Sequence, residues 1–257
     1  MTRPERSIEL AVEVVGTPEE VWRTIATGPG ISSWYVPHVV EEREGGAAVA
    51  SFGDAPEMQV PGRVVAWEPP RRIVFDGGPD ADGFAFEWLV EARDGGTCIV
   101  RLVNSGFGEG QEWDEQYDAM EEGWKLFLFN LQLHCRHFPG QEAVSMLPMG
   151  TTTLPRAAAW AKLCQELRIP EAPAVGDRID ARASNGAALA GTVVRTNPSS
   201  IALLLDTPAP GTAFLAVEGA EGCSVSVWAY LYGPDAAAIV ERDKPRWTAW
   251  LAAFAEA

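Results

Sequence analysis

The chain has 257 residues, 47% of them hydrophobic and 22% charged, a globular composition with enough length for two cores of ordinary domain size. Its formal charge of −16 argues against a nucleic acid partner, which needs clustered Lys and Arg, and an anionic membrane surface would repel it. No run approaches the ~18 apolar residues of a membrane span, residues 1–25 lack the basic start and apolar run of a secretory signal, and Cys98, Cys135, Cys164 and Cys223 are too widely spaced for a zinc motif. A cytoplasmic protein with reduced cysteines, no metal, no cofactor and no membrane insertion is the expectation.

Ile8, Leu10, Val12 and Val14 alternate with Glu9, Ala11 and Glu13, the period of a half-buried strand. Thr17-Pro18-Glu19-Glu20 then supplies a cap residue, a proline for the first turn and a capping-box glutamate, which predicts a helix carrying Val21, Trp22 and Ile25. Gly28-Pro29-Gly30 breaks it, and residues 31–35 read as a second helical turn that Pro37 stops. Short apolar segments follow at 47–52, 62–67, 72–75, 84–92 and 98–104, divided by Glu44-Gly45-Gly46, Glu68-Pro69-Pro70, Asp76-Gly77-Gly78 and Asp94-Gly95-Gly96. Turn residues at that spacing predict an antiparallel meander. Phe84, Phe86, Trp88 and Val90 share one strand face, and over 112–138 Trp113, Tyr117, Met120, Trp124, Phe127, Leu131 and Phe138 recur at helical steps. A long amphipathic helix is expected to lie in the grip of a curved sheet.

The chain then repeats itself faintly. Gly62-Arg63-Val64-Val65 leading through Pro69 and Pro70 to Ile73 matches Gly191-Thr192-Val193-Val194 leading through Pro198 to Ile201. Val90-Glu91 before Gly96-Thr97-Cys98 matches Val217-Glu218 before Gly222-Cys223, Trp124 matches Trp247, and Pro18 to Trp22 is echoed by Pro155 to Trp160. Two domains are expected, 1–139 and 140–257, the second reduced, because the stretch 169–188 is rich in Ala, Pro and Gly and its strands should be shortened. An unrelated α+β extension is the alternative.

Residues 6–138 resemble the SRPBCC superfamily, the helix-grip fold of START lipid-transfer domains and the birch-pollen allergen, and within it the branch of heat-shock-protein-90 ATPase activator homologues. The carrying residues are Thr17 to Trp22, Trp34 to Pro37, Gly62-Arg63-Val64 into Glu68-Pro69-Pro70-Arg71-Arg72-Ile73, Gly96-Thr97 into Val100 and Leu102, and Gly123-Trp124 in the last helix. The resemblance implies an α+β fold, a curved seven-stranded antiparallel sheet wrapped around a long C-terminal helix with a cavity between them. A chaperone partner is not implied, since the eukaryotic namesake works with a separate docking domain that no segment here resembles.

Trp34, Tyr35, Met58, Trp67, Phe86, Trp88, Trp124 and Phe127 are the candidate ligand-binding residues, because large rings can line an apolar pocket as well as fill a core. Binding of a small hydrophobic or amphipathic molecule is the expected function, and catalysis is not. Two alternatives stand beside it: a cyclase- or hydrolase-type enzyme using His38, Glu87 or Arg101 in the same cavity, and a regulatory or scaffold protein with a filled core whose two domains pack as an intramolecular pseudo-dimer. Neighbouring carboxylates such as Glu19-Glu20 and Glu121-Glu122 diverge on a helix, His134 and His137 lack further metal ligands, and no serine sits in a nucleophile elbow. Of the two matched tryptophans, Trp124 is expected to matter more than Trp247, whose helix stands close to a fraying end.

Overall fold

A computed structural model describes residues 6–53, 55–77, 84–107, 111–219 and 222–256. Gly78 of the third expected turn and the side chain of Trp113 lie outside the described residues. The chain divides into two compact units, Met1–Glu142 and Ala143–Ala257. Among the described residues no helix is long and apolar enough to cross a membrane.

The first unit opens with β1 (Ile8–Val15), followed by helices α1 (Pro18–Ala26) and α2 (Gly28–Ser32). The capping box closes as its sequence requires: Glu20 N–H donates to Thr17 Oγ1 at 3.3 Å, and Thr17 N–H donates to the Glu20 carboxylate at 2.9 Å. The turn α2 starts at Gly28 itself, earlier than the glycine-proline break suggested, because Thr27 Oγ1 caps it by accepting from Gly30 N–H at 3.1 Å. Gly30 has no room for a Cβ, which would strike the Arg23 carbonyl, so its bare backbone lets α2 fold back on α1.

Strands β2 (His38–Val40), β3 (Ala47–Ser51), β4 (Gln59–Glu68), β5 (Arg72–Asp76), β6 (Ala85–Arg93) and β7 (Thr97–Ser105) form a meander, and β1 returns to pair with β7 from Ile8 opposite Asn104 to Val15 opposite Thr97. The order is β1-β7-β6-β5-β4-β3-β2, seven antiparallel strands. Along β7 every second residue, Cys98, Val100, Leu102 and Asn104, is fully buried, so the period of two is used to face the helix α3 (Gln111–His137). Each large aliphatic side chain so buried, such as Leu102 or Ile73, stabilises the unit by roughly 1.5–3 kcal/mol.

The second unit contains β8 (Val144–Met146), β9 (Met149–Thr152), α4 (Arg156–Leu167), β10 (Arg178–Arg182), β11 (Ala188–Asn197), β12 (Ser200–Thr207), β13 (Gly211–Glu218), β14 (Cys223–Leu231) and α5 (Ala236–Glu256). Its sheet runs β10-β11-β12-β13-β14-β8, with β9 also on β14. This is the order of the first sheet: a meander, its last strand paired with the unit's first strand, then a closing helix. The sequence matches fall on equivalent places. Gly62 and Gly191 lie on β4 and β11, and both hairpins shift register just beyond, between Val64 and Ala66 and between Val193 and Arg195. Trp22 and Trp160 are each the fifth residue of their helix.

The expectation of shortened strands is corrected. Strands β11 to β14 are eight to ten residues long, as β4, β6 and β7 are nine or ten. The units differ instead at the edges: among the described residues the second sheet has no counterpart of β2, and its first strand is broken into β8 and β9 around Leu147-Pro148. Aliphatic and alanine side chains such as Leu189, Val193, Ala181 and Leu215 fill the space under α5, where Trp247 is 0% exposed.

Candidate functional site

A cavity of about 400 Å³ lies in the first unit, between β3–β6, the stretch after α2, and α3. One side of it is aromatic. Trp34 and Tyr35 come from the chain leaving α2, Phe86 and Trp88 from one face of β6, and Trp124 and Phe127 from successive turns of α3. Tyr35 meets Phe127 edge-on at 4.5 Å and lies tilted against Trp124 at 4.9 Å, while Trp34 and Trp124 each stand edge-on to Trp88 at 5.5 Å. Such pairs contribute about 0.5–1.5 kcal/mol each beyond area burial, so the wall is stiff. The indole N–H groups of Trp34 and Trp124 are spent elsewhere, on the Thr24 carbonyl at 2.9 Å and on Asn104 Oδ1 at 3.3 Å. Asn130 in turn fixes the Trp34 backbone by donating to its carbonyl at 2.9 Å.

The other side is small. Ala48 and Ala50 stand where bulkier residues would close the space, Gly62 and Gly77 border it with backbone alone, and Gly123 faces the cavity from the middle of α3 with no atom within 4 Å of where its Cβ would be. The core of this unit is therefore not filled. Sequence reading missed this half of the site. Its trace was there, in Ala48 and Ala50 on one face of β3 and in a glycine inside a strongly periodic helix, but alanine and glycine carry no chemistry that marks them.

Two of the eight candidate residues lie off the cavity. Met58 belongs to a 3-10 turn (Pro56–Met58) and packs over Gly53, and Trp67 stands edge-on to Trp22 at 5.1 Å, joining β4 to α1. Of the three acid-base candidates, Glu87 accepts from Arg72 Nε at 2.5 Å and Arg101 reaches Glu91 at 3.4 Å, both partly exposed on the sheet's outer face. Only His38 reaches the cavity. His134 is buried and His137 exposed, so the pair does not converge.

Three titratable side chains line the cavity among the described residues: Tyr35, His38 and Asp76. Asp76 accepts from Arg63 at 2.8 Å. Burial pushes the Tyr35 phenol well above its usual range and lowers the His38 imidazole to about 4, so both are neutral at pH 7. His38 is held from its backbone, where its N–H donates to Ser32 Oγ at 2.9 Å, and from its ring, where Nδ1 stands 2.8 Å from the Val36 carbonyl oxygen. That oxygen can only accept, so Nδ1 carries the proton and Nε2 is the acceptor.

Residues 16–134 match the model of the family described as activator of Hsp90 ATPase homolog 1-like protein. No curated protein matches the chain. Among solved structures, the di-domain ARO/CYC BexL from the BE-7585A biosynthetic pathway aligns over 98% of this chain and 99% of its own, at 18% identity and a TM-score of 0.46. The Aha1 dimer from Colwellia psychrerythraea aligns over 52% and 99%, at 16% identity and 0.44, and CalU16 from Micromonospora echinospora over 53% and 82%, at 23% identity and 0.40. Over residues 16–134 the N-terminal unit, whose seven-stranded sheet grips α3, is thus similar to the family of activator of Hsp90 ATPase homolog 1-like proteins.

Proposed function

We propose that the first unit binds a small apolar or amphipathic molecule in the cavity between its sheet and α3. The observation that carries this reading is Gly123. Glycine in a helix interior costs about 1 kcal/mol relative to alanine, and here no neighbouring atom forbids a side chain. A position that gives up stability without a packing reason is explained if the space beside it is used. The aromatic wall supplies the complementary surface, and about 400 Å³ is within the ordinary range for small-molecule sites.

Thermal denaturation against a library of lipids, polyketides and aromatic metabolites tests the reading, since a ligand that binds only the folded state raises the melting temperature. Gly123→Leu, which plugs the cavity from the helix, is expected to melt no lower than the wild type and to lose the ligand-induced shift. Absence of any stabilising compound, or a full shift retained in Gly123→Leu, refutes it. Of the three residues that the sequence offered for a cyclase- or hydrolase-type reaction in the same cavity, only His38 lines it, because Glu87 and Arg101 face away.

A further inference from the structure

We infer that the cavity selects uncharged aromatic molecules that carry a hydroxyl group, and that His38 Nε2 is the acceptor which anchors that hydroxyl. The inference rests on the cavity-binding reading and adds to it the chemical class of the ligand.

The shape requirement comes from the rings. Trp34, Trp88, Trp124 and Phe127 offer faces and edges that are apolar and fixed against one another, which suits a planar ligand over a flexible acyl chain. The charge requirement comes from the lining. No Lys or Arg lines the cavity among the described residues, so an anionic ligand would enter without a counterion. A cationic ligand would find one carboxylate, Asp76, already engaged by Arg63. Bringing an ion into such a site costs several kcal/mol.

The hydroxyl requirement comes from His38. Its Nδ1–H is committed to the Val36 carbonyl, and its Nε2 has no hydrogen-bond partner among the described residues. A neutral imidazole with Nδ1 protonated presents a lone pair at Nε2 and nothing else, so the complementary ligand group is a donor. The Tyr35 hydroxyl, likewise without a partner among the described residues and on a ring 5.4 Å from that of His38, can donate to or accept from the same part of a ligand. Phenols meet all three conditions, whereas ethers and hydrocarbons of the same shape leave Nε2 unsatisfied.

Isothermal calorimetry on the full chain with 2-naphthol and 2-methoxynaphthalene isolates the donor, because the two probes share the ring system and differ in the O–H. In the wild type 2-naphthol is expected to bind about tenfold more tightly, the ratio that one net hydrogen bond to a buried acceptor supplies. In His38→Phe, which keeps a ring of similar size, the ratio should fall to within about twofold, through loss of naphthol affinity with the ether unchanged. Nitrogen-15 NMR of the three histidines gives a reading that needs no variant: the His38 Nε2 resonance should move with 2-naphthol and stay with the ether. Equal affinities in the wild type, or a tenfold ratio that survives His38→Phe, overturn the role of His38 and leave cavity binding standing. No binding of either probe to the wild type overturns both.

Discussion

Replacing Trp247 by alanine is expected to cost more than replacing Trp124, although the first lies ten residues from Ala257 and the second in the middle of a long helix. Both indoles are buried, Trp247 at 0% and Trp124 at 4% exposure, so the apolar transfer cost of removing them is nearly the same, although the Trp247 N–H has no hydrogen-bond partner among the described residues and its removal returns part of that cost. What differs is the surroundings. Trp247 is enclosed in a filled core, against Trp250 at 5.7 Å, and its removal opens a new void whose walls lose their contacts outright. Trp124 borders a cavity that already exists, so part of its surface has no neighbours to lose, and Asn104 Oδ1, left without the indole N–H, becomes reachable by water through the enlarged space. Large aromatic-to-alanine changes cost about 3–5 kcal/mol; Trp247→Ala belongs near the top of that interval and Trp124→Ala near the bottom. At a urea dependence of about 2 kcal/mol per molar for a domain of this size, the difference is about 1 M in midpoint. Two units need not unfold together, so hydrogen exchange of peptides from each should accompany the urea series and assign each transition. A shift for Trp124→Ala equal to or larger than that for Trp247→Ala refutes the reasoning, and an unchanged midpoint for Trp124→Ala removes the gripping helix itself.

Acid should weaken the first unit in a window set by its histidines. His38 and His134 are each lowered by burial to about 4, against ~6.5 in an unfolded chain. Between those values the unfolded chain holds more protons than the folded one, so stability rises with pH, is complete above about 6.5 and has been lost once pH falls below about 4. Urea midpoints at pH 7, 5.5 and 4.5 should fall in that order and fall less in a His38→Gln, His134→Gln double variant; an identical pH slope in that variant counts against the assignment. Gly62→Ala and Gly191→Ala should each cost about 1–3 kcal/mol, because the new methyl would meet the Asp76 carbonyl at 2.5 Å in one case and the Leu204 carbonyl in the other. Gly123→Ala should instead raise the melting temperature, and a loss comparable to that of Gly62→Ala would show that the space beside α3 is closed.

Much of this protein was legible in its sequence because local periodicity is enough to fix which residues share a face. The alternation in 8–14 and 98–104 and the helical steps from Tyr117 to Phe138 follow from backbone geometry, and the capping box at Thr17 from two side chains three residues apart. The paired Gly-x-Val-Val segments at 62–65 and 191–194 revealed the repeat because both mark the same event, a close glycine approach just before a register shift. What stands opposite a face is another matter, since it is settled by residues far apart in the chain. Only the tertiary structure sets Ala48, Ala50 and Gly123 across from the aromatic rings and so leaves a cavity where a filled core was equally consistent with the residues. It also takes Trp67 out of the site to pack on Trp22, encloses Trp247 in the middle of α5 and away from any fraying end, and hands the His38 proton to Nδ1 through the carbonyl of Val36. A tryptophan's chemistry is the same in a core and in a cavity wall; the volume left beside it is a property of the whole packed unit.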